Sequence, residues 1–148
     1  NTIVDGFNVA KILRDGHKQF FNTLTTFNTF FRYKDENACL ENKCKLIELD
    51  DMKNVIQVRY NNRTELIPFD KNKKIDDYIN ARRKLWDLIK DKKNNIRIKQ
   101  RPGDMLILDN YRVLHGRGAY RDTKNRRYFR QGYMDRDIFQ SKLKTLAI

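Results

Sequence analysis

Residues Arg101–Asp137 read RPGDMLILDNYRVLHGRGAYRDTKNRRYFRQGYMDRD, and the reading of this stretch decides the fold. Pro102-Gly103 predicts a turn, because proline presets one dihedral and glycine supplies the positive one. Met105, Leu106, Ile107 and Leu108 form an almost continuous apolar run, the pattern of a strand buried on both faces, which ends at the polar pair Asp109-Asn110. Val113 and Leu114 restore apolar character just before His115 and Gly116. A histidine at the rim of a buried strand, followed by a glycine that lets backbone come close, suits metal ligation; a satisfied core histidine is the competing reading. Arg127–Asp135, with Tyr128, Phe129, Tyr133 and Met134 among polar residues, predicts a second strand returning beside the first. Arg127 would then reach into the same cavity, where its fixed fork matches a carboxylate in two parallel bonds. Arg121, Arg126, Arg130 and Arg136 lie nearby, so a surface arginine is the alternative.

Working outward, the remainder predicts small elements that can be laid against such a wall. Asp5 is an N-cap for a helix over Gly6–Arg14, with Gly16 as its stop, and Phe20, Phe21 and Leu24 share one side of a second short helix. FNTFFRY, from Phe27, reads as an aromatic and β-branched strand, followed by a polar loop over Lys34–Asn42. CKLIELD and NVIQVRY alternate on either side of Asp51–Lys53 and predict a hairpin, with Asn61 and Asn62 ending its second strand and Pro68 closing the piece beyond. Lys71–Lys93 is the clearest helix: Ile75, Tyr78, Ile79, Leu85, Trp86 and Ile89 form one stripe, which makes Trp86 a core anchor. Ile96–Lys99 adds a short strand. The whole predicts a mainly β fold with flanking helices, and jelly-roll barrels are the natural candidates.

Composition bounds the function. The 148 residues are one domain's worth of chain, and 39% hydrophobic content supports a globular core. Thirty-two Lys and Arg against 19 Asp and Glu give a net charge of +13, which raises the question of an anionic partner. The basic residues are scattered along the chain, and no nucleic-acid motif or aromatic spacing accompanies them, so a basic nucleic-acid-binding module is the weaker reading. Cys39 and Cys44 have neither zinc spacing nor a second pair, and are expected as free thiols. No apolar stretch reaches bilayer length, so no membrane partner is expected.

The motif DN-x-R-x-LHGR over Asp109–Arg117, followed by R-x5-Y-x-D-x-D over Arg127–Asp137, resembles the C-terminal signature of the iron(II)- and 2-oxoglutarate-dependent dioxygenases of the TauD type. Within them the resemblance is strongest to the branch acting on γ-butyrobetaine and trimethyllysine. IVDGFNVAKIL, KLIELDD, YNNRTELIPFD and SKLKTLAI also resemble that family, so the likeness covers essentially the whole chain. It implies the C-terminal part of a double-stranded β-helix, the jelly-roll form, as one domain over residues 1–148 that is incomplete on its N-terminal side. By the same resemblance, His115 is the distal iron ligand and Arg127 binds the far carboxylate of 2-oxoglutarate. Tyr133 belongs to an aromatic cage around the substrate's trimethylammonium group, and Asn61 binds the substrate's carboxylate end. A quaternary cation cannot donate a hydrogen bond, so cation–π attraction is the means of holding it. Turn closure by Asn61 is an equal alternative.

The implied cofactor is iron(II), with 2-oxoglutarate and molecular oxygen as cosubstrates, and the implied reaction is hydroxylation of γ-butyrobetaine to carnitine, with trimethyllysine as the alternative substrate. The family's His-x-Asp pair has no counterpart here: the only other histidine, His17, is followed by Lys18 and Gln19. One metal ligand of three is thus expected in this chain, which is expected to be inactive alone. A noncatalytic half-barrel or dimerisation unit is the rival of another class, and a homodimer stays open. The resemblance implies a cytoplasmic protein for the first substrate and a mitochondrial one for the second.

Overall fold

The computed structural model describes residues 1–67, 73–118 and 128–147; of Lys73 only the backbone is described. The chain divides into two compact units, residues 1–118 and 119–148. In the first, β1 (Thr2–Asp5) leads directly into α1 (Gly6–Gly16) and α2 (Lys18–Thr26). Asp5 caps α1 as expected, its Oδ1 accepting from the backbone N–H of Phe7 at 3.0 Å and of Asn8 at 3.3 Å. The helix runs through Gly16, and His17 is the residue between the two helices.

Next come β2 (Thr29–Lys34), β3 (Cys39–Cys44) and the hairpin of β4 (Ile47–Leu49) and β5 (Val55–Val58). The expected polar loop over Lys34–Asn42 is corrected here. Its second half belongs to β3, which pairs antiparallel with β2 from Thr29↔Cys44 to Lys34↔Cys39. The strand carries no apolar alternation because it is exposed over most of its length, so no burial pattern marked it. What turns the chain is Asp35, whose Oδ1 accepts from the N–H groups of Asn37 at 2.8 Å and Ala38 at 2.7 Å. The β4–β5 turn places Lys53 at φ 65°, and Asp50 stabilises it by accepting from Asn54 N at 2.7 Å. Cys39 and Cys44 are free thiols.

Glu65–Leu66 forms β6 beside β2, α3 covers Lys73–Lys90, β7 covers Asn95–Arg97 and β8 covers Val113–Gly116. Pro68 lies outside the described residues, as do Lys71 and Asn72 at the start of the predicted helix. The core gathers Val9, Ala10 and Leu13 of α1, Phe21 and Leu24 of α2, Ile47 and Val58 of the hairpin, and Tyr78, Ala81 and Leu85 of α3. A fully buried Leu or Ile contributes roughly 1.5–3 kcal/mol relative to exposure, so this helix-on-hairpin core is the main source of stability. Ile75, Tyr78 and Leu85 face it as predicted.

Trp86 does not sit in that core: it remains 37% exposed, stacked on Tyr60 with ring centroids 5.3 Å apart and planes 10° apart. It stands one position past Leu85, on the flank of the buried stripe, where the partner available is the end of the hairpin rather than the core.

The sheets are small and antiparallel, in the orders β7-β1-β8, β3-β2-β6 and β4-β5. Among the described residues there is no closed barrel and helix outweighs strand, which corrects the expected mainly β content. The predicted strand at Met105–Leu108 is not formed either. It pairs with no described strand, and Met105 and Ile107 are each 83% exposed. The turn before it is present: Gly103 has φ 91°, and Arg101 N donates to Asp104 Oδ2 at 2.7 Å.

In the second unit, Tyr128–Asp135 forms no regular element where a strand was predicted, and α4 spans Arg136–Leu146. The predicted strand needed an apolar face to bury, and Tyr128, Tyr133 and Met134 are all largely exposed.

Candidate functional site

His115 lies on β8, and the register of the sheet fixes which way it faces. Residues directly opposite in an antiparallel pair share a face. His115 pairs with Ile3 and Ile3 pairs with Ile96, so these three form one row across the sheet. Val4 and Leu114 form the next row on the opposite face, with Val4 in the core and Leu114 packed against it. The imidazole therefore stands on the face turned away from the helical core, exposed, in the same row as the 67% exposed Ile96 and separated from it by Ile3. The reading of His115 as a satisfied core histidine is removed by this placement.

Two contacts seat β8. Gly6 N donates to Arg112 O at 2.8 Å, and Val58 N donates to Tyr111 O at 2.9 Å, so both α1 and β5 are tied to the turn that leads into His115. Gly6 is required for the first: a Cβ there would come 2.6 Å from Arg112 O and 3.1 Å from Val58 Cβ. The Arg112 guanidinium adds a forked pair to Asp5, Nε–Oδ1 at 3.1 Å and Nη2–Oδ2 at 2.6 Å. Asp5 thus serves both the α1 N-terminus and the His115 strand.

The Arg112 fork, helped by the Asn8 and Phe7 amides, holds the Asp5 carboxyl below the usual carboxylate range, although partial burial pulls the other way. A depressed folded pKa contributes stability that is fully present above the unfolded value, about 3.9, and is lost as pH falls through the folded value. Asp5→Asn keeps a good capping residue but removes the charge. Urea midpoints of wild type and Asp5→Asn should differ at neutral pH and converge as pH falls from about 5 to about 2. A gap unchanged at the acid end would assign the effect to packing instead.

Asn61 follows β5 by three residues. Its Oδ1 accepts from Arg63 N at 2.8 Å and Thr64 N at 3.3 Å, forming an Asx-type turn. The NH₂ half of the same amide is the part chemically able to donate to a carboxylate. Tyr133 belongs to the second unit, is 77% exposed, and its hydroxyl accepts from Gln131 Nε2 at 2.6 Å. Arg127 lies outside the described residues.

A polar cluster beside Asn61 was not anticipated from the sequence. Arg82 Nε donates to both oxygens of Glu65 at 2.9 Å, its Nη1 to Tyr60 Oη at 3.0 Å and its Nη2 to Asn62 Oδ1 at 2.7 Å. Tyr78 donates its hydroxyl to the same Glu65 carboxylate, whose side chain is 1% exposed. Burial, then the Glu65 carboxylate, pushes the Tyr78 phenol far above its ordinary range, so it stays a neutral donor. Burial also works against the Arg82 charge, but Glu65 outweighs it and raises the guanidinium's pKa. The signal was the spacing of Tyr78, Arg82 and Trp86, four apart along α3, which puts a donor, a fork and a ring on one side of the helix.

Among the described residues, no group of three or more His, Cys, Asp or Glu side chains comes together that could hold a metal ion. His115 is a donor type that suits iron(II), but the described residues do not by themselves assemble a site for it. A groove of about 270 Å³ is lined by Ile3, Ile96 and Val113 together with polar residues that include Asp5, Lys93 and Arg112, and His115 does not line it. No described helix is long and apolar enough to cross a membrane.

The apolar β8 strand closed by His115-Gly116, within DN-x-R-x-LHGR, is the feature that comparison with known proteins bears on. The chain belongs to the taurine catabolism dioxygenase TauD, TfdA family, whose model matches residues 1–133. Within that family it is similar to human γ-butyrobetaine dioxygenase, 34% identical over 97% of this chain and 38% of that protein. Trimethyllysine dioxygenase of Neurospora crassa is 32% identical over 95% of this chain and 30% of that protein. The γ-butyrobetaine dioxygenase of a Pseudomonas species is 29% identical over 99% and 38%. The chain thus spans less than two-fifths of the length of these curated relatives.

Proposed function

We propose that the protein carrying this chain is an iron(II)- and 2-oxoglutarate-dependent dioxygenase that hydroxylates a trimethylammonium amino-acid derivative, with γ-butyrobetaine as the substrate. The observation that carries the reading is the 34% identity to human γ-butyrobetaine dioxygenase across nearly the whole chain, together with a His115 that stands on the open face of its sheet. Iron(II), 2-oxoglutarate and oxygen supply the oxidising chemistry when bound, and the residues of this chain bind and orient. His115 offers one imidazole ligand. Arg127 offers a fork for the distal carboxylate of 2-oxoglutarate. Asn61 donates from its amide to the substrate carboxylate, and the Tyr133 ring contributes cation–π attraction of about 0.5–2 kcal/mol to the trimethylammonium end.

Trimethyllysine is the second reading, favoured by the 32% identity to the Neurospora enzyme. The two substrates share the quaternary cation and differ at the other end, where trimethyllysine adds an amine beside the carboxylate.

The test is succinate release by the gene product that contains this chain, with each of the two compounds as prime substrate. Faster turnover of γ-butyrobetaine is expected, and turnover of neither would overturn the proposal. In the same assay Arg127→Ala should raise the half-saturating 2-oxoglutarate concentration at least tenfold, the loss of about 1.4 kcal/mol or more of a charge-assisted fork, with iron affinity nearly intact. An unchanged half-saturation would move that role to Arg126 or Arg130.

A further inference from the structure

The hydrogen-bonded cluster on α3 touches the residues on either side of Asn61 and not Asn61 itself. Tyr60 is held by its ring and its hydroxyl: Trp86 stacks on it, Arg82 lies 4.5 Å from its ring centroid, and Arg82 Nη1 reaches its Oη at 3.0 Å. Asn62 is held by Arg82 Nη2 at 2.7 Å. Arg82 is in turn fixed by Glu65, which also anchors Tyr78 of the core. Each of the three nitrogens of one guanidinium is thus used to brace Tyr60–Glu65, the turn at Asn61 with its two flanks, against a helix. A turn that only had to reverse the chain would need no more than its Asn61 Oδ1 bonds to Arg63 and Thr64.

We propose that Arg82 is a positioning residue for ligand recognition at Asn61. It clamps Tyr60 and Asn62 so that the Asn61 amide is held in one orientation and can donate to a carboxylate without an ordering cost at each binding event. The ligand class is a small zwitterion with a carboxylate at one end, and this inference rests on the reading of Asn61 proposed above. Arg82 acts through the turn and has no contact with the ligand. Lysine cannot replace it, because one ammonium cannot span Glu65, Tyr60 and Asn62 at once.

The test uses the gene product that contains this chain, labelled with ¹⁵N at its asparagine side chains, followed by NMR during titration with γ-butyrobetaine and, separately, with choline, which has the cation without the carboxylate. The Asn61 side-chain amide should shift with γ-butyrobetaine and not with choline. Asn62 is exposed, so Asn62→Leu removes one arm of the clamp without disturbing the core. It should weaken the γ-butyrobetaine response at least fivefold and speed hydrogen exchange of the Arg63 and Thr64 amides. Asn62→Asp, which keeps an acceptor for Arg82, should restore both. Arg82→Lys should match Asn62→Leu.

A wild-type amide that ignores γ-butyrobetaine would remove the ligand role of Asn61, while the exchange rates still decide whether Arg82 holds the turn. A wild-type response that Asn62→Leu and Arg82→Lys both retain in full would overturn the positioning role and leave the Asn61 reading standing.

Discussion

Gly6→Ala is expected to lower stability by about 2 kcal/mol, because the new methyl group has nowhere to go. Its Cβ would lie 2.6 Å from the Arg112 carbonyl oxygen, a backbone atom, and 3.1 Å from Val58 Cβ. Two opposing effects set the size. Alanine gains up to about 1 kcal/mol over glycine inside a helix, and less at the first position. Overpacking costs roughly 1–3 kcal/mol, and the Gly6 N–Arg112 O bond, worth about 1 kcal/mol, is stretched or lost. The clash therefore wins. Urea denaturation followed by circular dichroism measures it, and a midpoint at or above that of wild type would show that β8 yields freely. Because Arg112 precedes His115 by three residues on the same turn and strand, the His115 ring resonances should move in this variant as well.

Glu65→Ala is expected to cost about 3 kcal/mol. The Lys11–Asp15 pair, with side chains 73% and 60% exposed, is of the kind that contributes at most about 0.5 kcal/mol. Glu65 differs because its side chain is 1% exposed and its partner Arg82 is 18% exposed. Removing one member of a buried pair leaves the other charge uncompensated at roughly 3–5 kcal/mol, and the partial exposure of Arg82 places the effect near the lower end. The Tyr78 hydroxyl loses its carboxylate acceptor at the same time. Glu65→Gln keeps the shape and one acceptor, and a loss nearer 1–2 kcal/mol is expected. Equal losses in both variants, measured by the same unfolding experiment, would show that the carboxylate's charge is not what matters.

The elements legible in the sequence are those whose own residues carry their reasons. Asp5 caps α1 by its side chain, the alternation of KLIEL and VIQV writes the β4–β5 hairpin, and Ile75, Tyr78 and Leu85 mark the buried stripe of α3. β3 was illegible because an exposed strand needs no apolar period; it is a strand only because β2 lies beside it. Met105–Leu108 misled in the opposite sense. Four apolar residues in a row describe what a strand would bury, but a strand takes a paired neighbour, and Met105–Leu108 pairs with no described strand. Trp86 shows the limit of periodicity: one helical position separates the fully buried Leu85 from a ring stacked on the outside.

For the candidate site, sequence by itself determined the family motif and the chemical types it offers: an imidazole at His115, a fork at Arg127, an amide at Asn61 and a ring at Tyr133. Side-chain chemistry and local spacing are properties of the chain and need no fold to be read. Only the tertiary structure decided that His115 shares a face with Ile3 and Ile96, away from the core, since a strand's two faces are distinguished by register with its neighbours and not by its own residues. Likewise, the bracing of Asn61 joins Tyr60, Asn62 and Glu65 to Arg82, some twenty residues along the chain. Such a network exists only once the hairpin end has packed against α3.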